Sequence, residues 1–194
     1  MHFDNASLQI IRSVTQRGLV LHWDRLRRRR PLPTLIEFDP DKRSHEASQL
    51  SFCSVAFESN RPRYRVLYEG SQMAAAYNSN WTDRYLDDAL PEHVKPAALV
   101  AFDRCRESCR IVYTVSTVRD ATGNVVDCER LLLPFGAGSV VSHIVVSLQL
   151  ISIEGAFTHQ NILCDRLRPV AYTVTALVDP SSPAKINSEV DRTH

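Results

Sequence analysis

The stretch that decides the fold is Asp127–Ser152, DCERLLLPFGAGSVVSHIVVSLQLIS. It predicts two β-strands separated by the small-residue turn Phe135–Ser139. In the second strand, apolar side chains recur at every other position, while Ser147 and Gln149 fall between them. The alternating apolar positions are Ile144, Val146, Leu148 and Leu150. This period of two predicts a strand with one face on a core and the other face toward solvent or a partner.

Composition indicates an ordinary globular protein. With 194 residues, 44% hydrophobic and 23% charged, the chain can bury one substantial core or two small ones. The formal net charge of +1 gives no global electrostatic reason to expect nucleic acid or an anionic membrane as a partner. No apolar run reaches the roughly 18 residues of a membrane span. Because the first residues also lack the pattern of a signal peptide, we expect a cytoplasmic protein without membrane association.

The N-terminal part predicts one helix over residues 7–30, which ends before Pro31. Its apolar side chains fall into two groups when they are placed at the angular spacing of a helix. One group comprises Leu8, Leu19, Trp23 and Leu26, and the other comprises Ile10, Ile11, Val14 and Leu21. Either both groups pack on one domain, or one of them packs on a second copy of the chain. For the second case, we take the group of Leu8, Leu19, Trp23 and Leu26 as the candidate homodimer face.

Four segments are predicted along the chain. They are an N-terminal helix over residues 1–30, a connector over 31–50, an α+β domain over 51–152, and a partly disordered extension over 153–194. The domain contains two strands, short helices, one longer helix and three meandering strands, which predicts an antiparallel sheet. In the extension, apolar residues alternate with threonines from Val170 to Ala176, which suggests an extra edge strand or a docked segment.

This order of elements resembles a PAS domain, and the local motifs are similar to those of a bacterial family of small, mostly uncharacterised PAS-like proteins. The motifs are Trp23-Asp-Arg-Leu26-Arg27 before Pro31 and Pro33, Asp39-Pro40, Tyr64–Gly70, and Glu129-Arg-Leu-Leu-Leu-Pro134. The resemblance covers about residues 15–152. It implies a five-stranded antiparallel sheet flanked by helices, with an N-terminal amphipathic helix and a C-terminal extension. The chain departs from the family at Gly70-Ser71-Gln72, where members usually have a glycine-threonine segment.

The resemblance also implies a cavity between sheet and helices, which members of the superfamily use for haem, flavin, organic acids or nothing. The candidate lining residues are Tyr68, Phe102, Tyr113, Leu132 and Val146. The same apolar set also suits a plain core, so both interpretations stay open. The cysteine motif of light-sensing flavin domains is absent. Haem would need an axial ligand such as His93 or His143, but a lone histidine at the start of a helix or strand is more often a surface residue, so we expect no haem.

The strongest local charge feature is Arg25-Leu-Arg-Arg-Arg-Arg30. Guanidinium groups bind phosphate through two hydrogen bonds, so this cluster could contact nucleic acid or a nucleotide. The candidate phosphate-binding residues are Arg25, Arg27, Arg28, Arg29 and Arg30. The simpler interpretation is a solvated helix end, because cations are favourable at the negative end of the helix dipole. The sequence does not favour nucleic acid as the partner, since aromatic residues do not interleave with the basic ones.

Signatures of catalysis and metal binding are weak. Cys105 and Cys109 could share a metal ion on the predicted long helix, but further ligands at a suitable spacing are not evident, so we assign no metal. Known nucleophile, phosphate-loop and zinc-protease motifs are absent. We therefore expect a non-enzymatic sensory or regulatory module that acts through a small ligand, homodimerisation or a signalling-protein partner. The alternative is a nucleic-acid- or nucleotide-binding regulator that uses Arg25–Arg30.

Overall fold

A seven-stranded mixed β-sheet forms the centre of the fold in a computed structural model that describes residues 1–38, 44–164 and 171–182. The strands are β1 (Asp4–Ser7), β2 (Leu50–Glu58), β3 (Arg61–Glu69), β4 (Ile111–Arg119), β5 (Val125–Ala137), β6 (Val140–Ile151) and β7 (Ala171–Asp179). Their spatial order is β1-β7-β4-β5-β6-β2-β3. The pair β1 and β7 is parallel, whereas the other neighbouring strands are antiparallel.

Helices cover both faces of this sheet. They are α1 (Val14–Arg27), α2 (Leu35–Phe38), α3 (Ser44–Ala47), α4 (Ser71–Tyr77), α5 (Leu86–Ala89) and α6 (Lys95–Ser108). No helix in the described ranges combines the length and the apolar character needed to cross a membrane.

The helices α1 and α6 mark the two faces, which we call the α1 face and the α6 face. Trp23 of α1 donates its indole N–H to the carbonyl oxygen of Pro134 at 2.7 Å. On the opposite side, α6 contacts β4, β5 and β6, and Tyr77 of α4 accepts a hydrogen bond from the Arg130 side chain. Because consecutive residues in a strand point to opposite faces, Arg130 lies on the α6 face and Glu129 lies on the α1 face.

The prediction of a PAS-like, five-stranded antiparallel sheet was wrong. The sheet has seven strands and is mixed, because β7 pairs with β4 and β1 then pairs with β7 in parallel. β7 comes from the segment with alternating threonines beyond residue 152. β1 has the sequence DNAS, which carries no apolar alternation. Its pairing therefore depends on the free backbone edge that β7 offers, and not on a pattern of its own.

The helix predicted over residues 7–30 is shorter, since α1 begins at Val14 and ends at Arg27. Ser13 is the N-cap, and its hydroxyl accepts a hydrogen bond from the Gln16 backbone N–H at 3.3 Å. Arg28 and Arg29 adopt positive φ angles of 47° and 75°, which ends the helix before the prolines.

The turn of the β5–β6 hairpin is shorter than predicted. Strand β5 continues to Ala137, so that only Gly138 and Ser139 connect the two strands. The connector after α1 packs on this end of the hairpin, because the Gly136 N–H donates to the carbonyl oxygen of Pro33 at 2.9 Å.

Parts of two predicted segments lie outside the described residues. In the connector these are residues 39–43, which include the Asp39-Pro40 motif. In the C-terminal extension they are residues 165–170 and 183–194, so the disorder predicted for that extension stays a prediction there.

Candidate functional site

Two of the five predicted cavity residues lie on the α1 face. Tyr113 is fully buried, and its hydroxyl oxygen lies 3.5 Å from the backbone nitrogen of Arg12, which donates to it. Burial raises the pKa of Tyr113 to about 12. Tyr68 is 40% exposed, and its ring packs at 5.6 Å from that of Phe52. These tyrosines therefore belong to the layer between the sheet and α1.

The other three predicted cavity residues lie on the α6 face. The Phe102 ring packs on the Tyr64 ring at 4.9 Å. Leu132 and Val146 are paired neighbours in β5 and β6, and both are buried. The structure thus divides the predicted set between the two faces of the sheet and does not bring it together in one cavity.

The predicted homodimer face is turned toward the protein's own core. All four of its side chains contact that core: Leu8, Leu19, Trp23 and Leu26. Leu19 and Trp23 are 0% and 2% exposed, so they cannot form a surface for a second copy. The exposed apolar side chains of α1 belong to the other group, since Val14 is 75% and Leu21 is 46% exposed. The homodimer stays a prediction, which light scattering over a range of concentrations tests.

The predicted phosphate-binding arginines differ in their surroundings. Arg27 pairs with Asp24 at 2.7 Å, and Arg30 donates to both carboxylate oxygens of Glu37 at 2.8 and 2.7 Å. The three that are exposed and form no ion pair with a described residue are Arg25, Arg28 and Arg29. The chain's own carboxylates therefore engage two of the five candidates.

The two histidines considered for haem lie on opposite faces of the sheet. His143 is paired with Phe135 in the hairpin, and its Nδ1 lies 3.0 Å from the Ser142 hydroxyl. Partial burial lowers the pKa of His143. His93 lies just before α6 and lines a cleft on the α6 face. Its buried Nδ1 forms no hydrogen bond with any described residue.

Cys105 lies in α6 and Cys109 directly follows it, and the described residues bring no further metal ligands to this pair. Cys105 is fully buried, and this burial raises the pKa of its thiol well above the ordinary value. The Cys109 thiol donates to the carbonyl oxygen of Ser139 at 3.1 Å. Among the side chains that the structure describes, no three of His, Cys, Asp or Glu converge in a way that could hold a metal ion.

A buried polar cluster fixes the start of α1 to the sheet. Gln16 is fully buried, and its amide nitrogen donates to the carbonyl oxygens of Glu129 and Ser147 at 3.2 and 3.1 Å. The buried Glu129 carboxylate forms an ion pair with Arg12 at 2.8 Å and accepts the Ser13 N–H at 3.3 Å. The positive end of the α1 dipole also favours this carboxylate. We assign the cluster a structural role, because the Gln16 amide nitrogen and the Glu129 carboxylate both bind neighbouring elements of the same chain.

A cleft of about 710 Å³ opens on the α6 face between the end of α4, α5 and the start of α6. We call it the Tyr77 cleft, and its main lining residues are Tyr77, Trp81, Arg84, Leu90, His93 and Cys164. The Tyr77 and Trp81 rings pack against each other at 4.5 Å and form an aromatic wall. The Cys164 thiol donates to the Tyr77 carbonyl oxygen at 2.9 Å, which joins a distant segment of the chain to this wall.

Arg130 lies directly behind the aromatic wall. Its guanidinium donates to the Tyr77 hydroxyl at 2.7 Å and to the Ser116 hydroxyl at 3.1 Å. Burial raises the pKa of Tyr77 to about 12, although the positive charge of Arg130 acts in the opposite direction. Tyr77 is therefore a protonated hydroxyl at neutral pH, held in one orientation between the cleft and the sheet.

Sequence reasoning did not identify Tyr77, Trp81, Arg84 or Arg130. Residues 70–90 show no clear periodicity, so the sequence could not predict which of their side chains share a cleft. Arg130 did carry a usable signal, because with Glu129 it forms a charged pair directly before the apolar run Leu131–Phe135 of the same strand. A charge within a central strand requires polar partners, and a search for those partners could have led to Tyr77.

Comparison with known proteins does not identify a family: no family model matches the chain, and no curated protein matches it either. The resemblance to a PAS-like family therefore stays a prediction from local motifs.

Proposed function

We propose that this protein is a non-enzymatic regulatory module that binds a small molecule in the Tyr77 cleft. The observation that carries the proposal is the cleft itself. Its volume of about 710 Å³ falls within the range of roughly 300–1,000 Å³ that is usual for ligand sites. It combines the aromatic wall of Tyr77 and Trp81 with several polar side chains, which suits a ligand that has both an apolar and a polar part.

A ligand in this cleft would contact four segments, and the last of them is distant in sequence from the others. Tyr77 ends α4, Arg84 precedes α5, His93 precedes α6, and Cys164 lies between β6 and β7. A molecule that binds to all of these segments favours the arrangement in which they lie close together. It would therefore shift the population of conformations on the α6 face, and a signalling partner could recognise that shift.

The test begins with the full chain purified without denaturant. Native mass spectrometry and an absorption spectrum would show a co-purified molecule, and a thermal-shift screen of small metabolites would identify binders. We expect at least one binder to raise Tm in the wild type. Trp81→Ala should remove that rise, whereas Trp23→Phe on the opposite face should keep it. If every binder acts equally on Trp81→Ala and the wild type, the cleft is not the site.

The three unpaired arginines support a second candidate function, in which phosphate groups of nucleic acid bind Arg25, Arg28 and Arg29. This binding would be electrostatic and would weaken steeply with salt. The variant Arg28→Gln/Arg29→Gln should bind mixed-sequence DNA more weakly than the charge-matched control Arg61→Gln/Arg104→Gln, which removes two exposed arginines elsewhere. Equal binding by the two variants, or no binding by the wild type at low salt, would dismiss this candidate.

A further inference from the structure

Arg130 is a cation on the α6 face that meets no carboxylate among the described residues. Two of its donors are used by the hydroxyl groups of Tyr77 and Ser116. The titratable groups that act on it most strongly are Cys128, Tyr77 and Tyr172, which carry no charge in their protonated forms. Because a guanidinium has five N–H donors, Arg130 retains unused donors and a charge that no described side chain neutralises.

The rim of the Tyr77 cleft also carries a positive charge that no described carboxylate neutralises. Arg84 lines the cleft, and among the described residues its guanidinium donates to the carbonyl oxygen of Asp88 alone, at 3.4 Å. The acidic side chains of the cleft are already paired, since Asp88 binds Arg63 at 2.6 Å and Glu92 binds Lys95 at 2.5 Å. Arg84 on the rim and Arg130 behind the wall are therefore two positive charges that no described carboxylate pairs with.

From this charge balance we infer that the Tyr77 cleft takes an organic anion, with a planar apolar body and a carboxylate or phosphate group. This inference rests on the proposed function. The planar body packs against Trp81 and Tyr77, since aromatic rings favour stacked or edge contacts with other planar groups. The anionic group faces Arg84 on the rim, because charge-assisted hydrogen bonds to guanidinium are the strongest polar contacts that this site can offer. The positive charge of Arg130 behind the wall adds to the attraction at longer range.

The test uses three probes that share a phenyl ring: phenylacetate, phenyl phosphate and the neutral phenylacetamide. Binding to the full chain is measured by titration calorimetry at low salt. We expect each anion to bind the wild type on the order of tenfold or more tightly than the amide. A preference for one of the two anions distinguishes a carboxylate ligand from a phosphate ligand.

Variants locate the origin of this preference. Arg84→Gln should bring the affinities of the anions and the amide close together, and Arg130→Gln should reduce the preference in part. Arg130→Lys keeps the charge and should retain some preference, although it loses the planar fork of donors. Trp81→Ala should weaken all probes alike, while Arg25→Gln, which removes an exposed arginine of α1, should change nothing.

The outcomes separate this inference from the proposed function. The inference is wrong if the anions and the amide bind the wild type equally, or if both arginine variants keep the preference for the anions. In either case, probe binding that is lost in Trp81→Ala still supports the cleft as a ligand site. If none of the probes binds at millimolar concentration, the inference is also wrong, whereas the metabolite screen still decides the proposed function. Near-ultraviolet circular dichroism shows which variants are folded, and Arg130→Lys serves as the test if Arg130→Gln does not fold.

Discussion

Glycines in this chain differ sharply in the space around their Cα atoms. A Cβ atom at Gly136 would lie 1.9 Å from the carbonyl oxygen of Val140, and one at Gly70 would lie 2.5 Å from two backbone oxygens. A Cβ at Gly18 in α1 would meet no atom within 4 Å. The first two positions therefore require glycine because other backbone segments approach closely, whereas Gly18 does not.

Gly136→Ala should lower the free energy of unfolding by about 2 kcal/mol or more, because the hairpin must shift to admit the methyl group. Gly18→Ala is the matched control, and it should raise the free energy of unfolding by about 0.5–1 kcal/mol, as expected for a helix interior. Urea unfolding of both variants measures the difference. An unchanged midpoint for Gly136→Ala would contradict the close approach to Val140.

At the scale of elements, the connector after α1 is held by a capping box at the start of α2. The Glu37 carboxylate accepts hydrogen bonds from the backbone N–H and the hydroxyl of Thr34 at 2.9 and 2.8 Å. It also accepts the two bonds from Arg30. The Thr34 N–H and the Arg30 guanidinium lower the pKa of Glu37 to about 2. One carboxylate thus links the end of α1 to the start of α2.

This lowered pKa predicts a pH dependence of stability. The carboxylate takes up a proton near pH 4.3 in the unfolded chain but only near pH 2 in the folded one, so its contribution is complete above about pH 5 and is lost as the pH falls toward 2. Wild type should therefore be more stable than Glu37→Gln at pH 7, with the difference shrinking toward pH 2. Urea midpoints across this range measure the effect.

Glu92→Gln serves as the control for this experiment, because Glu92 is 88% exposed and its one ion pair within the described part of the chain is with Lys95. Its difference from wild type should stay small throughout the pH range. A constant difference between wild type and Glu37→Gln would mean that the capping box does not govern the acid sensitivity.

At the scale of the whole molecule, the central strands should be the most protected. β5 and β6 have hydrogen-bonded neighbours on both sides and carry many fully buried side chains, whereas β1 is a four-residue strand at the edge. We expect amide hydrogen exchange to be slowest in β5 and β6 and fastest in β1. If exchange in β1 were as slow as exchange in β5, this prediction would be wrong. The edge strand would then be protected by contacts that the described residues do not show.

The two strands and the three-stranded meander predicted within residues 51–152 correspond to β2 to β6, since their apolar alternation and turn residues are local signals. It did not predict the mixed sheet, because DNAS at β1 gains its strand geometry only from the neighbouring edge of β7. It also placed the N-terminus of the helix too early, since Ser7 and Ser13 are both suitable N-caps and only the buried contacts of Gln16 select the second. The Tyr77 cleft joins residues 77–93 to Cys164, which lies 87 residues after Tyr77, and no local pattern connects the two.

The neighbouring charges of Glu129 and Arg130 also restrict how β5 can align in the sheet. A slip of one residue would exchange the faces of every side chain in the strand. It would turn Arg130 toward the positive end of the α1 dipole. It would also bury Glu129 against the hydroxyl groups of Tyr77 and Ser116, which accept hydrogen bonds from Arg130 in the observed alignment. Apolar residues alone tolerate such a slip in a strand that is buried on both faces, but two opposite charges do not. The Glu-Arg pair therefore selects a single alignment of the longest strand during folding, whether or not a ligand ever reaches Arg130.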